Sequence, residues 1–229
     1  MDLQEHYDGY YHGTSEWREL SARDKSANVR ELWSRVSDDP PRSVLEVGCG
    51  EGAVLSTLAA GGWPVRGIEI SASGVAAAQG RGLDVEVYDG VTVPADDSSI
   101  DLVVLTHVME HLPDPRGVLQ ELARVGRYIA IEVPLEYRIR TPRDFRWTEV
   151  GHINLYTMKL ARQLLQSTGL TVLEEITTNP QRAVFLRSGK VKGGAQWAVR
   201  EAALRVAPRV AQTVFTYHGA FLCSPASLA

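Results

Sequence analysis

The chain has 229 residues, a formal charge of −4 and 44% hydrophobic residues. This length suits one α/β domain with decorations, and the mild acidity argues against a general nucleic-acid binder. Cys49 and Cys223 are the only two cysteines, a usage that excludes a disulfide scaffold and fits a reducing cytoplasm. Met1-Asp2-Leu3-Gln4-Glu5 reads as neither a signal nor a transit peptide. No apolar run approaches the roughly 20 residues of a membrane span. The charge is uneven. From Gln181 onward seven basic residues (Arg182, Arg187, Lys190, Lys192, Arg200, Arg205 and Arg209) meet one acid, Glu201, a balance of +6. The preceding residues therefore carry −10, which together with +6 makes the net −4.

The first predicted element is a helix from an N-cap at Ser15, with Leu20, Val29, Leu32, Trp33 and Val36 as apolar positions and Pro40-Pro41 beyond its end. Strands and helices then alternate. Val44–Val47 is a buried strand, Ala53–Ala60 a helix closed by Gly61-Gly62, and Val65–Ile70 a second strand. Ser73–Gln79 is a short helix, Leu83–Tyr88 a third strand, and Ile100–Thr106 a fourth, nearly all apolar as in a strand covered on both faces. Asp114 caps a helix with Pro115 at its first position and Val118, Leu119 and Leu122 inward. Arg127–Val133 is the fifth strand, and a long charged and aromatic loop follows from Pro134 to Leu155. Thr157 caps a helix with Leu160, Leu164 and Leu165 inward and Gly169 at its end. Leu170–Ile176 is a sixth strand. Glu201, Arg205 and Arg209 make a polar stripe on a helix near Ala195–Val210, and Val214–Cys223 is the last strand.

The alternation predicts a parallel, doubly wound sheet whose ligands sit at the carboxyl ends of the strands. Glu46–Gly52, Glu69, Asp89-Gly90 and Thr106-His107 all fall at such ends. Glycines let a ligand approach the backbone, and an acid closing the second strand can bridge two ribose hydroxyls, so a nucleoside cofactor is indicated. Read as Gly48-x-Gly50-x-x-Ala53, the turn meets a loose dinucleotide fingerprint, which would make the chain an NAD-dependent oxidoreductase. Glu46 and Glu51 would then set negative charge beside a pyrophosphate, which counts against it.

Read as Glu46-x-Gly48-x-Gly50-x-Gly52, the turn resembles the first motif of the class I methyltransferases that use S-adenosylmethionine. Glu69-Ile70-Ser71 resembles their ribose-binding acid, and Asp89-Gly90 their adenine contact. Asp101-Leu102-Val103-Val104 leading into His107-Val108-Met109-Glu110-His111-Leu112 is similar to the motif after the fourth strand of small-molecule members. Gly151-His152-Ile153-Asn154-Leu155-Tyr156-Thr157 recurs in relatives that methylate sugars, quinones and other metabolites. The resemblance covers residues 43–175. It implies a Rossmann-like seven-stranded mixed sheet, with the last strand antiparallel beside the fifth. The chain would then be one domain: an N-terminal helical cap (1–40), a cofactor-binding core (43–180), a basic helical insertion (181–210), and the last strand with its tail (211–229).

The resemblance places Glu46, Gly48, Cys49, Gly50, Gly52, Glu69, Ile70, Asp89, Gly90, Thr106 and His107 around S-adenosylmethionine. Glu46 would organise the turn or a water, and Asp89 would bond the adenine or simply close an Asp-Gly turn. The implied reaction is methyl transfer to a small-molecule acceptor, preferably at a hydroxyl oxygen, which needs alignment and a base. Transfer to a carbon or an amine, or cofactor binding without turnover, stays open. Thr106-His107-Val108-Met109 stands where base-nitrogen methyltransferases of nucleic acids carry an Asn/Asp-Pro-Pro-Tyr-type motif, so such a substrate is not expected.

Histidine suits base catalysis near neutral pH. His152 is the first candidate for base or substrate ligand, against a role in capping its loop. His107 either acts at the site or shapes its floor, and His111 reads as structural. Tyr7, Tyr10 and Tyr11 form a lid or pack the first helix. Arg138, Arg140, Arg143 and Arg146 hold an anionic substrate group or pair with Glu136, Asp144 and Glu149. No pair has zinc or iron spacing, so no metal is expected. The basic insertion either faces solvent or makes a peripheral contact with an anionic lipid surface.

Overall fold

The computed structural model describes residues 16–139, 141–142, 144–146 and 151–226. Its strands are Val44–Val47 (β1), Val65–Glu69 (β2), Val85–Val87 (β3), Ile100–Thr106 (β4), Gly126–Leu135 (β5), Leu170–Thr178 (β6) and Tyr217–Pro225 (β7). Its helices are Glu16–Ser34 (α1), Ala53–Ala60 (α2), Ala72–Gly80 (α3), Pro115–Val125 (α4), Met158–Ser167 (α5), Arg182–Leu186 (α6), Lys190–Val206 (α7) and Pro208–Val214 (α8). The strands form one sheet in the order β3-β2-β1-β4-β5-β7-β6. Val44 lies opposite Val65 and Leu102 in parallel pairings, and Ile129 lies opposite Cys223 in the antiparallel one. The expected mixed sheet with its last strand beside the fifth is therefore present.

Period-two alternation divides the core between the two faces of the sheet. Leu45, Val47, Val103, Leu105, Ile129 and Ile131 pack on one side. Val44, Leu102, Val104, Ala130 and Leu222 pack on the other, beneath Val29, Leu32 and Trp33 of α1. Every residue of β1 and β7 is buried, as expected of strands flanked on both sides and covered on both faces. Caps set the helix starts. Asp114 accepts from the amides of Arg116 and Gly117, both at 3.1 Å, and the Thr157 hydroxyl accepts from Leu160 at 3.1 Å.

Three sequence expectations change. Leu160 is 43% exposed, because the inward stripe of α5 is Ala161 and Leu165 at i, i+4, with Leu164 at its margin. Val36 lies beyond the end of α1 and is 37% exposed. The helix expected near Ala195–Val210 breaks at Ala207, where Pro208 opens α8. The inserted helices thus run to Val214, and the last strand begins at Tyr217.

The inner face of α1 is polar: Ser21, Asp24, Ser26 and Asn28 are buried there. Asp24 Oδ2 accepts from the Gln181 amide at 2.8 Å. Asn28 Nδ2 donates to Glu132 Oε2 at 2.7 Å and to Thr178 Oγ1 at 3.0 Å. A helix that buries polar groups does so where partners await them, and Ser21, Asp24 and Lys25 of this face line a cavity.

Candidate active site

The strand order reverses direction between β1 and β4, and the chain ends of these strands diverge into loops at that point. The ends of β1 to β4, the segment 151–157 and α1 surround a cavity of about 1020 Å³. Of the residues predicted at a cofactor, Glu46, Gly48, Cys49, Gly50, Glu69, Ile70, Asp89, Gly90, Thr106 and His107 line it, as does His152. Gly52 does not. A Cβ there would stand 2.4 Å from Leu83 Cδ1, so this glycine lets the turn close on the α3–β3 connection instead of facing the cavity. Tyr7, Tyr10, Tyr11, Arg140, Arg143 and Glu149 lie outside the described residues.

The glycine turn is held from the second strand. The amides of Gly48 and Cys49 donate to the Ile68 carbonyl. Glu69 Oε2 accepts from the Gly50 amide at 2.9 Å and Oε1 from the Ser71 amide at 3.0 Å. Glu69 also lines the cavity, and a carboxylate has about four acceptor sites. Gly48 and Gly50 have φ of +71° and +54°, a region costly for residues with a side chain. The Cys49 thiol packs toward β2, where a Cβ on Gly67 would lie 2.7 Å from it. Asp89 Oδ1 accepts from the amides of Val91 and Thr92, so this acid does close a turn while lining the cavity. Glu46 is 2% exposed and its Oε2 has no hydrogen-bond partner among the described residues. Burial pushes its carboxyl up to about 8, against the nearby charge of Lys25 and the Leu55 amide. These groups fit a nucleoside with a cationic tail: a diol acceptor at Glu69, and buried carboxyl oxygen at Glu46.

The opposite side of the cavity is made by two interlocked segments. The turn Met109–His111 offers the Glu110 carbonyl to the amides of Ile153 and Asn154 at 2.8 and 3.0 Å. Asn154 Nδ2 donates to the Leu112 carbonyl at 2.7 Å, and the Tyr156 hydroxyl to that of Met109 at 3.3 Å. His111 meets the Gly151 carbonyl at 3.2 Å and stacks edge-on with His152, centroids 4.7 Å apart. His111 also lines the cavity. His152 Nδ1 lies 2.6 Å from Glu136 Oε2, so among the described residues Glu136 pairs with a histidine. Burial opposes the charge on His152, yet Glu136 and Glu110 outweigh it and raise its pKa above the ordinary value. Glu110 is fully buried, and burial brings its carboxyl to about 7.

Sequence reasoning missed four residues here: Lys25, Glu132, Asn28 and His218. Lys25 lines the cavity from α1, and burial lowers its pKa against the pull of Glu132, Glu110 and Glu46. Glu132 is 1% exposed in the middle of β5. Its Oε1 lies 3.1 Å from His107 Nε2 and 3.1 Å from His218 Nδ1. Though burial opposes it, these two histidines hold the Glu132 carboxyl well below the usual range. His107, with φ of 56°, also turns Nδ1 to within 3.5 Å of Glu110 Oε1. A buried acid inside an apolar strand pattern was the available signal.

A profile described as "Methyltransferase domain" matches residues 17–175. Ajmaline N-methyltransferase of Rauvolfia serpentina is 39% identical over 106 residues, 41% of this chain and 36% of that protein. Ubiquinone biosynthesis O-methyltransferase of Hahella chejuensis is 32% identical over 119 residues, 49% of this chain and 50% of that protein. The chain spans about half the length, or less, of such curated relatives. The geranyl diphosphate C-methyltransferase of Streptomyces coelicolor superposes with a TM-score of 0.65 at 13% identity, covering 98% of this chain and 97% of that one. The [4+2]-cyclase SpnF superposes at 0.64 with 18% identity, covering 93% and 85%. These likenesses show the fold alone, and one scaffold carries different chemistries. The domain match, the seven-stranded sheet and the turn held by Glu69 agree, and the dinucleotide reading falls: the chain belongs to the methyltransferase domain family, whose cofactor is S-adenosylmethionine.

Proposed function

We propose that the protein is an S-adenosylmethionine-dependent methyltransferase acting on a small molecule, at a hydroxyl oxygen of a sugar, a quinone or another metabolite. The observation that carries this is the His152–Glu136 pair, 2.6 Å apart on the cavity wall, with neutralisable Glu110 beside it. S-adenosylmethionine supplies an activated methyl group on a sulfonium. Glu69 would accept from the ribose hydroxyls, with Ile70, Asp89 and Gly90 at the adenine end, and Gly48, Gly50, Glu46, Thr106 and His107 near the methionine end. His152 would take the acceptor proton on the ring nitrogen opposite Glu136, while Glu136 fixes the tautomer and stabilises the charged imidazole. Trp17, Val108, Val118 and Val184 also line the cavity, where they would help exclude water.

The test is transfer of labelled methyl groups from S-adenosylmethionine to a panel of phenols, sugars and secondary amines, with products identified by NMR. Methoxy products are expected. Exclusive N-methyl products would move the reaction to nitrogen, with the Glu110 carboxylate taking the proton that frees the amine lone pair. C-methyl products, or cofactor binding with no product from any acceptor, would also overturn the oxygen reading.

The inserted helices present Val191, Val199, Val206, Val210 and Val214, all more than half exposed, together with Lys190, Lys192, Arg205 and Arg209. We infer a peripheral contact with anionic lipid from this pairing of exposed valines and cations. No helix among the described residues is long and apolar enough to cross a membrane. Arg200 takes no part. It donates to the Thr216 carbonyl and lies 5.0 to 5.3 Å from the rings of Phe185, Phe215 and Tyr217. Sedimentation with vesicles of equal phosphatidylglycerol and phosphatidylcholine is expected to show salt-sensitive binding. Removing Arg205 and Arg209 together should weaken it by about 2 kcal/mol. Equal binding to neutral vesicles would refute the contact. The free, buried thiols of Cys49 and Cys223 support a cytoplasmic setting.

A further inference from the structure

We propose that His107, Glu132 and His218 form a binding site for a divalent first-row metal ion at the floor of the cavity, with an open coordination position facing the acceptor. The three residues come from the end of β4, the middle of β5 and the second residue of β7, so a rigid sheet fixes their positions. One ligand atom from each lies within 4.8 Å of the others. Glu132 Oε1 is 3.1 Å from both His107 Nε2 and His218 Nδ1. Ligands at about 2.1 Å from a tetrahedral ion stand roughly 3.4 Å apart, so an ion would widen the two Glu132–histidine separations only slightly.

A hydrogen-bonded triad alone does not account for the arrangement. His107 Nε2 is in hydrogen-bond geometry with Glu132, but His218 Nδ1 is not. His218 is 9% exposed, and its Nδ1 has no hydrogen-bond partner among the described residues. Its contact with Glu132 is an ion-pair approach of 3.1 Å outside hydrogen-bond geometry, so a shared proton satisfies this nitrogen poorly. A metal ion between the three groups would satisfy it better. The surroundings suit ligation. Asn28 donates to Glu132 Oε2 and thereby orients Oε1, the kind of outer support that metal-bound carboxylates receive. His107 and His218 line the cavity, so the remaining positions of the ion would open there. Two imidazoles and one carboxylate suit zinc, cobalt, manganese or iron better than magnesium or calcium. Lys25 and Asp24 also face this group, and the flexible ammonium of Lys25 has to retract when an ion enters.

The site stands independently of the methyltransferase reading. Only its role rests on that reading: an acceptor oxygen on the open position would release its proton more readily. The test therefore uses neither cofactor nor acceptor. Chelator-stripped full-length protein is titrated with Co²⁺ and followed by visible absorption, with circular dichroism confirming the fold of each variant. Saturable d–d bands from a single ion per chain are expected. His218→Ala and His107→Ala should each weaken binding at least about tenfold, whereas His152→Ala should leave it unchanged. If His218→Ala does not fold, His218→Gln replaces it, since an amide retains polarity but ligates poorly. Absence of saturable bands overturns the proposal. So does undiminished binding in the His218 variant, or loss in His152→Ala, which would move the ion to Glu110, His111 and His152.

Discussion

Glu69→Ala is expected to weaken S-adenosylmethionine binding at least about tenfold, since a charged acceptor is worth about 1.5–3 kcal/mol. The structure adds a second consequence. Glu69 already accepts from the amides of Gly50 and Ser71, and its removal strands both. Each buried, unpaired amide costs about 1–3 kcal/mol, so the melting temperature should fall as well. A loss of affinity by itself would therefore not separate a ribose contact from a loosened turn. A cycle with a 2′-deoxy cofactor analogue does. The analogue should bind the wild type more weakly than S-adenosylmethionine does, and the Glu69→Ala protein should not distinguish the two. Calorimetric titration of both proteins with both ligands measures this. An equal penalty for the deoxy analogue in each protein would leave Glu69 as a tie between loops and nothing more.

The sheet was legible because its signals are local. Apolar runs such as Val44–Val47 and Ile100–Thr106 have the length and bulk of covered strands, and Asp114-Pro115 and Thr157 are helix starts with a mechanism. The strand-end residues that line the cavity were legible for the same reason. They sit in short stretches, each readable in a few positions. The cavity wall around His152 was less so. His152 could be singled out, but not its partner, because Glu136 is sixteen residues away and the contact depends on how the loop is pinned beneath Met109–His111. Glu132 and His218 were invisible for a stronger reason. They lie inside β5 and β7, in patterns that read as plain core, and meet only because β7 is inserted beside β5.

Helix α1 shows how attention to apolar spacing conceals function. Val29, Leu32 and Trp33 were correctly placed inward and bury the helix on the sheet. The adjoining stripe, Ser21, Asp24, Lys25 and Asn28, repeats at helical spacing too, yet a polar residue on a helix is ordinarily a solvated one. Here Ser21, Asp24 and Lys25 of that stripe line the cavity, while Asn28 donates to Glu132 behind it. The helix is both a wall of the core and a wall of the site.

His152→Ala is expected to lower turnover by about 10²-fold or more, the usual contribution of a positioned base, while cofactor affinity stays within about threefold of the wild type. The pH profile carries the sharper test. A base must be neutral to accept a proton, and Glu136 and Glu110 hold the His152 pKa above its ordinary value against burial and the Lys25 charge. The wild-type kcat/KM should therefore rise with pH through an inflection above about 6.5. Glu136→Gln removes the paired charge and keeps the shape, so the inflection should move to lower pH even as the plateau falls. His111, edge-on to the same ring, is neither removed nor recharged by this change. A His152→Ala enzyme that keeps the wild-type inflection would assign the titration, and the base, to another group. A Glu136→Gln enzyme with an unmoved inflection would show that the 2.6 Å pair positions the ring without setting its proton affinity.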